Sequence, residues 1–266
     1  MLSGFDLASL GAIVAASLFA GILLCLRLGR MLGERAIARH GPEGHGSVGS
    51  LETAIFALLG LLVAFTFSGG LERFDARRGQ VVDEANAIGT AWLRVDLVPE
   101  AAQPALREQF RRYVDSRIAT YRKLPDLAAA NAEYLRSQEL QAEIWRSSLA
   151  AVRLPEAKPS AEMLLVPALN QMFDITTTRL AATRTHPPPI VYAMLVVLAL
   201  AAALLAGYQA AGVRGYTWIH KLGFAAIFAL TVYVILDIEV PRFGWVRVDA
   251  IDRLLVDLRA SMGPSR

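Results

Sequence analysis

Cysteine is nearly absent from this chain. A single residue, Cys25, excludes any internal disulfide, and it lies inside an apolar run where a lone thiol acts as a small packing group. Charge is scarce too: only 19% of the 266 residues are Asp, Glu, Lys or Arg, against about 25% in an ordinary soluble domain. The net charge of +3 comes from arginines interleaved with nearly as many acids, so no basic face exists to hold nucleic acid. No segment alternates with period two, which excludes a sheet. The reactive signatures are missing as well. There is no GxSxG, no phosphate-binding glycine loop, no HExxH, and no GxGxxG after a strand, so nothing points to an enzyme. His40 and His45 share a glycine-rich loop with only Glu43 nearby, short of the three or four ligands a metal needs.

What the chain has in abundance is apolar sequence: 55% of it is hydrophobic and its mean hydropathy is +0.41. Four stretches reach the roughly 20 apolar residues that cross a bilayer. They run from Leu7 to Leu26, Thr53 to Leu71, Pro187 to Val213, and Tyr216 to Leu236. The first is expected to be a retained membrane helix rather than a cleavable leader, because MLSGFD has no basic residue and the run ends in LRLGR. Tyr216 and Trp218 suit an aromatic belt, and His220 and Lys221 can snorkel to the interface. The expected fold class is therefore all-α: a polytopic membrane protein with four transmembrane helices and a helical extramembrane bundle between the second and third. Residues 1–71 form the first two spans, joined by the basic loop 27–50. Residues 72–186 form the extramembrane domain, 187–238 the last two spans, and 239–266 an amphipathic C-terminal helix packing on that domain. The loop over 27–47 reads as a short interfacial helix followed by a glycine-rich turn.

Helical periodicity runs throughout the middle region. Leu106, Phe110, Val114, Ile118 and Tyr121 mark one amphipathic helix. Leu140, Ile144 and Leu149 mark a second, and Leu165, Leu169, Phe173, Thr176 and Leu180 a third. Pro99, Pro104, Pro125 and LPEAKPS (154–160) separate them. Val248, Ile251, Leu255, Leu258 and Met262 share one face of the terminal helix. Asp83 and Glu84, among arginines, read as a solvated or ion-paired face.

Two constellations remain. Asp237, Glu239, Asp249 and Asp252 cluster after the fourth span. A hard cation takes about six to eight oxygens, so these acids are a candidate calcium clasp, with salt bridges to Arg242, Arg247 and Arg253 as the plainer reading. No other cofactor is indicated. In the second span, Ala57, Leu61 and Phe65 recur at helical spacing and lead to Ser68. Such a stripe is ordinary packing on one helix. Repeated by several copies around an axis, it becomes an apolar ring that gates by excluding water. Ala54, Ala57, Gly60 and Ala64 allow close helix approach, and Gly69–Gly70 offers a bend on leaving the membrane.

The pattern FxxSxxxxRFDARR at 65–78 resembles the bacterial bestrophins, as do HPPPIVYAMLV at 186–196 and LDIEVPRFGWVRVDAIDRLLVDL at 236–258. More closely, EANAIGTAWLRVDLVPE (84–100) and LNQMFDITTTR (169–179) resemble a bestrophin-like family of bacterial membrane proteins. The resemblance implies a homo-oligomer, a pentamer in the bestrophins, passing an inorganic ion through an axial pore lined by the second span. It implies a neck at Ala57, Leu61 and Phe65, and a mouth structured by Ser68, Arg73, Arg77 and Arg78. Ala57 is smaller than the bulky apolar residue the family carries there. Thr66 and Phe67 stand where the family has an Arg or Asn, so the permeant ion stays open. Basic residues flank the spans on both sides, and orientation follows from the resemblance alone: an inner-membrane protein with its middle domain in the cytosol. The competing class is a non-conducting scaffold or sensor whose helical domain binds a partner.

Overall fold

The computed structural model describes residues 4–41, 49–124, 126–211, 218–240, 245 and 249–264; for residues 4–8 and 249–250 this covers the backbone only. Eight α-helices carry the described residues, and no strand occurs among them: α1 (Gly4–His40), α2 (Gly49–Arg94), α3 (Gln103–Arg122), α4 (Leu127–Val152), α5 (Pro159–Arg184), α6 (Pro189–Gln209), α7 (Trp218–Glu239) and α8 (Asp249–Ser261). Four of these helical stretches are long and apolar enough to cross a membrane. The chain divides into two compact units. One, the membrane unit, comprises Leu7–Glu72 and His186–Val240; the other, the polar unit, comprises Arg73–Thr185, Pro241–Arg266 and the N-terminal Met1–Asp6.

The membrane unit packs α1, α6, α7 and the first half of α2. Its core is aliphatic: Leu18, Ile22, Leu26, Leu59, Leu195, Val232 and Ile235, with Ala199, Ala202, Ala203 and Ala225 fully enclosed. Lipid supplies no hydrophobic drive between helices, so small residues that bring backbones together decide the contact. Two glycines do this for α1 and α6. A Cβ on Gly29 would lie 1.9 Å from the Leu204 carbonyl oxygen, and one on Gly207 would lie 2.2 Å from that of Leu26. Phe56 of α2 meets Phe224 of α7 edge-on, with ring centroids 5.8 Å apart.

The expected break after the first span does not occur. α1 continues from Leu26 to His40 without interruption, so there is no separate interfacial helix; residues 42–48 lie outside those described. RLGRMLGERAIAR lacks proline and is rich in good helix formers, and Arg30 donates to Glu34 one turn on at 2.8 Å. Nor does α2 break at Gly69–Gly70. It is helical over 46 residues, about 69 Å at 1.5 Å per residue. Each glycine costs only about 1 kcal/mol in a helix. Gly70 is buried, and a Cβ there would lie at ordinary contact distance, 3.7 Å, from Ile238 and Glu239.

In the polar unit the second half of α2 packs with α3, α4, α5 and α8 around Ile88, Ala91, Val95, Leu106, Phe110, Tyr113, Val114, Leu140, Ile144, Leu165, Leu169 and Met172. Pro104 falls in the first turn of α3, where its missing N–H is no loss, and so opens a helix where a break was expected. Asp126 caps α4 by accepting from the Ala128 and Ala129 amides at 3.0 Å. α8 is held on α3 by Leu255 and Met262 in the core. Arg111 donates to the Met262 carbonyl at 3.0 Å, and Arg259 pairs with Asp115 at 2.8 Å.

Candidate functional site

α2 carries the residues of interest, and its two faces differ sharply. Leu59, Thr66, Gly70, Val81, Glu84, Ala87, Ile88 and Ala91 are buried. Ala57, Leu61, Phe65 and Ser68 are exposed together on the opposite face, with Phe65 68% and Leu61 53% accessible. Successive residues step by about 100° around a helix, so this face continues through Glu72, Asp75, Gly79, Val82, Asp83 and Asn86. All six are exposed. The stripe is thus apolar down to Phe65, hydroxylated at Ser68, and acidic beyond. Interleaved arginines mask the acidic continuation in the sequence, and helical phase separates the two sets.

The arginines after the second span fall elsewhere around the helix. Arg77 turns to the C-terminal end of α5, donating to the carbonyls of Ala182 at 3.2 Å and Thr185 at 3.0 Å. Those acceptors have no partner within the helix, so Arg77 works as a cap in trans. Arg78 pairs with Asp75 at 3.3 Å and lies over the Phe74 ring, 5.7 Å from its centroid. Arg73 is half-buried.

Behind the acidic part of the stripe lies a buried ionic cluster. Glu84 is fully enclosed and ion-paired while Asp83 is exposed, so the two acids divide between the ion-paired and the solvated reading. One Glu84 oxygen accepts from Arg117 Nε at 2.6 Å and the other from Arg179 Nη1. Arg117 also donates to the Tyr121 hydroxyl at 2.7 Å, and the Arg179 guanidinium sits over the Tyr121 ring, 4.1 Å from the centroid. Arg179 reaches Asp252 of α8 at 3.9 Å. Burial by itself raises the Glu84 carboxyl, but the charges and hydrogen bonds of Arg117 and Arg179 outweigh it and hold the group below its ordinary range. Burial opposes the Arg117 charge as well; Tyr121 and Glu84 overcome that and raise the guanidinium above its usual value. Burial also pushes the Tyr113 phenol up. Arg117 Nη1 is buried without a hydrogen-bond partner.

Within the polar unit this cluster fixes the rotation of the second half of α2. Glu84 is in phase with Val81, Ile88 and Ala91; Arg117 with Phe110 and Val114; Arg179 with Leu165, Leu169 and Thr176. A charge on the apolar stripe of each of three helices is the sequence signal that could have revealed it. With Glu84 pointing inward, Asp83 and Asn86 must point out.

The C-terminal acids fall in both units. Asp237 and Glu239 are buried at the end of α7, and Glu239 Oε1 lies 3.2 Å from His186 Nδ1. Asp252 belongs to the polar unit and faces Arg179. Arg242, Arg247 and the Asp249 side chain, which the expected pairings involve, lie outside the described residues. Among the described residues, no group of three or more acids, histidines or cysteines converges on a point that could hold a metal ion.

Four long apolar helices, an aliphatic inter-helix core and a helical polar unit define an all-helical, multi-pass membrane protein. It belongs to the bestrophin-like family: the Bestrophin-like domain matches over residues 19–250. Two solved structures of a bacterial bestrophin homologue from Klebsiella pneumoniae, each with a single substitution, share the fold. One superposes with a TM-score of 0.65 at 14% identity, covering 91% of this chain and 98% of that one. The other gives 0.62 at 13% identity, covering 93% and 98%. A search of curated protein sequences found no match.

Proposed function

We propose that copies of this chain assemble as a closed ring, a pentamer as in the bestrophins, and conduct ions along its axis. The ring lies in a bacterial inner membrane with the polar unit on the cytosolic side. One observation carries the reading. α2 presents an unbroken exposed stripe that is apolar at Ala57, Leu61 and Phe65 and acidic from Glu72 to Asp83, while its other face is locked by the Glu84 cluster. In a ring, the apolar part forms a neck that excludes water when narrow. Ser68 and the acidic part form the mouth, braced by Arg73, Arg77 and Arg78, and repeated carboxylates there raise the local cation concentration. The ion is accordingly a cation. Replacing Leu61 and Phe65 together by alanine widens the neck, so single-channel current in planar bilayers should rise. Unchanged current, or a chain that runs as a monomer or dimer in mild detergent, would refute the pore and favour a non-conducting scaffold or sensor.

A further inference from the structure

At the end of the membrane unit where α1 leaves its apolar run and α7 begins, a cavity of about 450 Å³ is lined by Leu23, Arg27, Arg30, Met31, Glu34 and Lys221. Its charge is lopsided: three cations face one carboxylate, and Glu34 is already engaged with Arg30 at 2.8 Å. Its depth is defined by the sequence. The uncharged run Leu7–Leu26 spans about 30 Å, the thickness of the hydrocarbon layer, so Arg27 to Glu34 occupy roughly the next 12 Å, the headgroup layer. Two arginines match the oxygen fork of a phosphodiester, and a lysine adds a point charge. Leu23 extends the lining toward the acyl layer, and Leu24, Trp218 and Ile219 nearby along α1 and α7 are exposed apolar groups of the same unit.

We propose that this cavity binds the headgroup of an anionic phospholipid, with Arg27 and Lys221 on the phosphate and Arg30 oriented by Glu34. A free anion would satisfy the charges but not the apolar wall below them. Basic pockets between membrane helices hold lipid phosphates by this combination, each Lys or Arg contributing about a fivefold gain in affinity.

The test uses the full-length protein in mild detergent. Bound lipid is counted by native mass spectrometry and thermal stability followed during titration. Phosphatidylglycerol should bind and raise the melting temperature, while zwitterionic phosphatidylcholine should do so at least tenfold more weakly. Arg27→Gln with Lys221→Gln should weaken phosphatidylglycerol about 30-fold. Arg27→Lys with Lys221→Arg, which keeps the charges, should bind within a few-fold of wild type. Arg35→Gln removes an exposed charge from the same helix outside the cavity and should change nothing. The proposal is overturned if the two lipids bind alike, or if Arg35→Gln weakens binding as much as the paired variant. It is equally overturned if the paired variant folds and still binds, or if inorganic phosphate stabilises as well as the lipid does.

Discussion

Replacing Glu84 by glutamine keeps the side chain's shape and removes its charge, leaving Arg117 and Arg179 side by side without their shared anion. Arg117 is 1% and Arg179 6% exposed, so solvent screens neither. Breaking a buried ion pair from one side costs about 3–5 kcal/mol, because the remaining charge stays desolvated. That is roughly a fifth or more of the 5–15 kcal/mol that holds a typical domain folded. For a unit of this size it lowers the melting temperature by roughly 10 °C. The sign with pH can be worked out. The Glu84 carboxyl is held below its ordinary value of 4.5. Its contribution is therefore complete above that value and is lost as the pH falls below it. Thermal unfolding of the detergent-solubilised wild type should show this acid-side decline, and the glutamine variant should lack that part of it. Asp83→Asn, one residue away but exposed, is the control and should shift the melting temperature by less than about 2 °C. Adding Arg117→Met to the glutamine variant should recover part of the loss, because it withdraws one uncompensated cation. Equal effects at positions 83 and 84, or an unchanged acid limb in the glutamine variant, would refute the argument that the cluster fixes α2.

Other outcomes follow from the same geometry. Gly207→Ala places a methyl group 2.2 Å from the Leu26 carbonyl oxygen, so α1 and α6 must separate; a loss of about 1–3 kcal/mol, read as a lower melting temperature, is expected, and Gly60→Ala, with open space around it, should cost nothing measurable. Glu72→Gln with Asp83→Asn should cut the cation-to-anion permeability ratio on the order of fivefold, the worth of about 1 kcal/mol for a charge near 4 Å in water; bi-ionic reversal potentials measure it. Asp126→Ala removes the α4 cap and should cost about 1 kcal/mol without altering conductance.

Much of the molecule was legible before any coordinates. The four spans were readable because hydrocarbon imposes a length and a composition on whatever crosses it, and the amphipathic helices of the polar unit because burial repeats every 3.6 residues. Helix ends are less legible: α1 runs on past the expected end of its span to His40, and α2 continues through its glycine pair. Where a helix stops depends on the packing around it as well as on its own residues, and a glycine or two costs too little to decide it. Composition alone determined that this chain lives in a bilayer and is built from helices, since those properties sum over many residues and tolerate local exceptions. Only the tertiary structure decided which side of α2 faces out, because rotation about a helix axis is set by a few long-range contacts. Glu84 meets Arg117 and Arg179, partners 33 and 95 residues away, and no local pattern specifies that they converge.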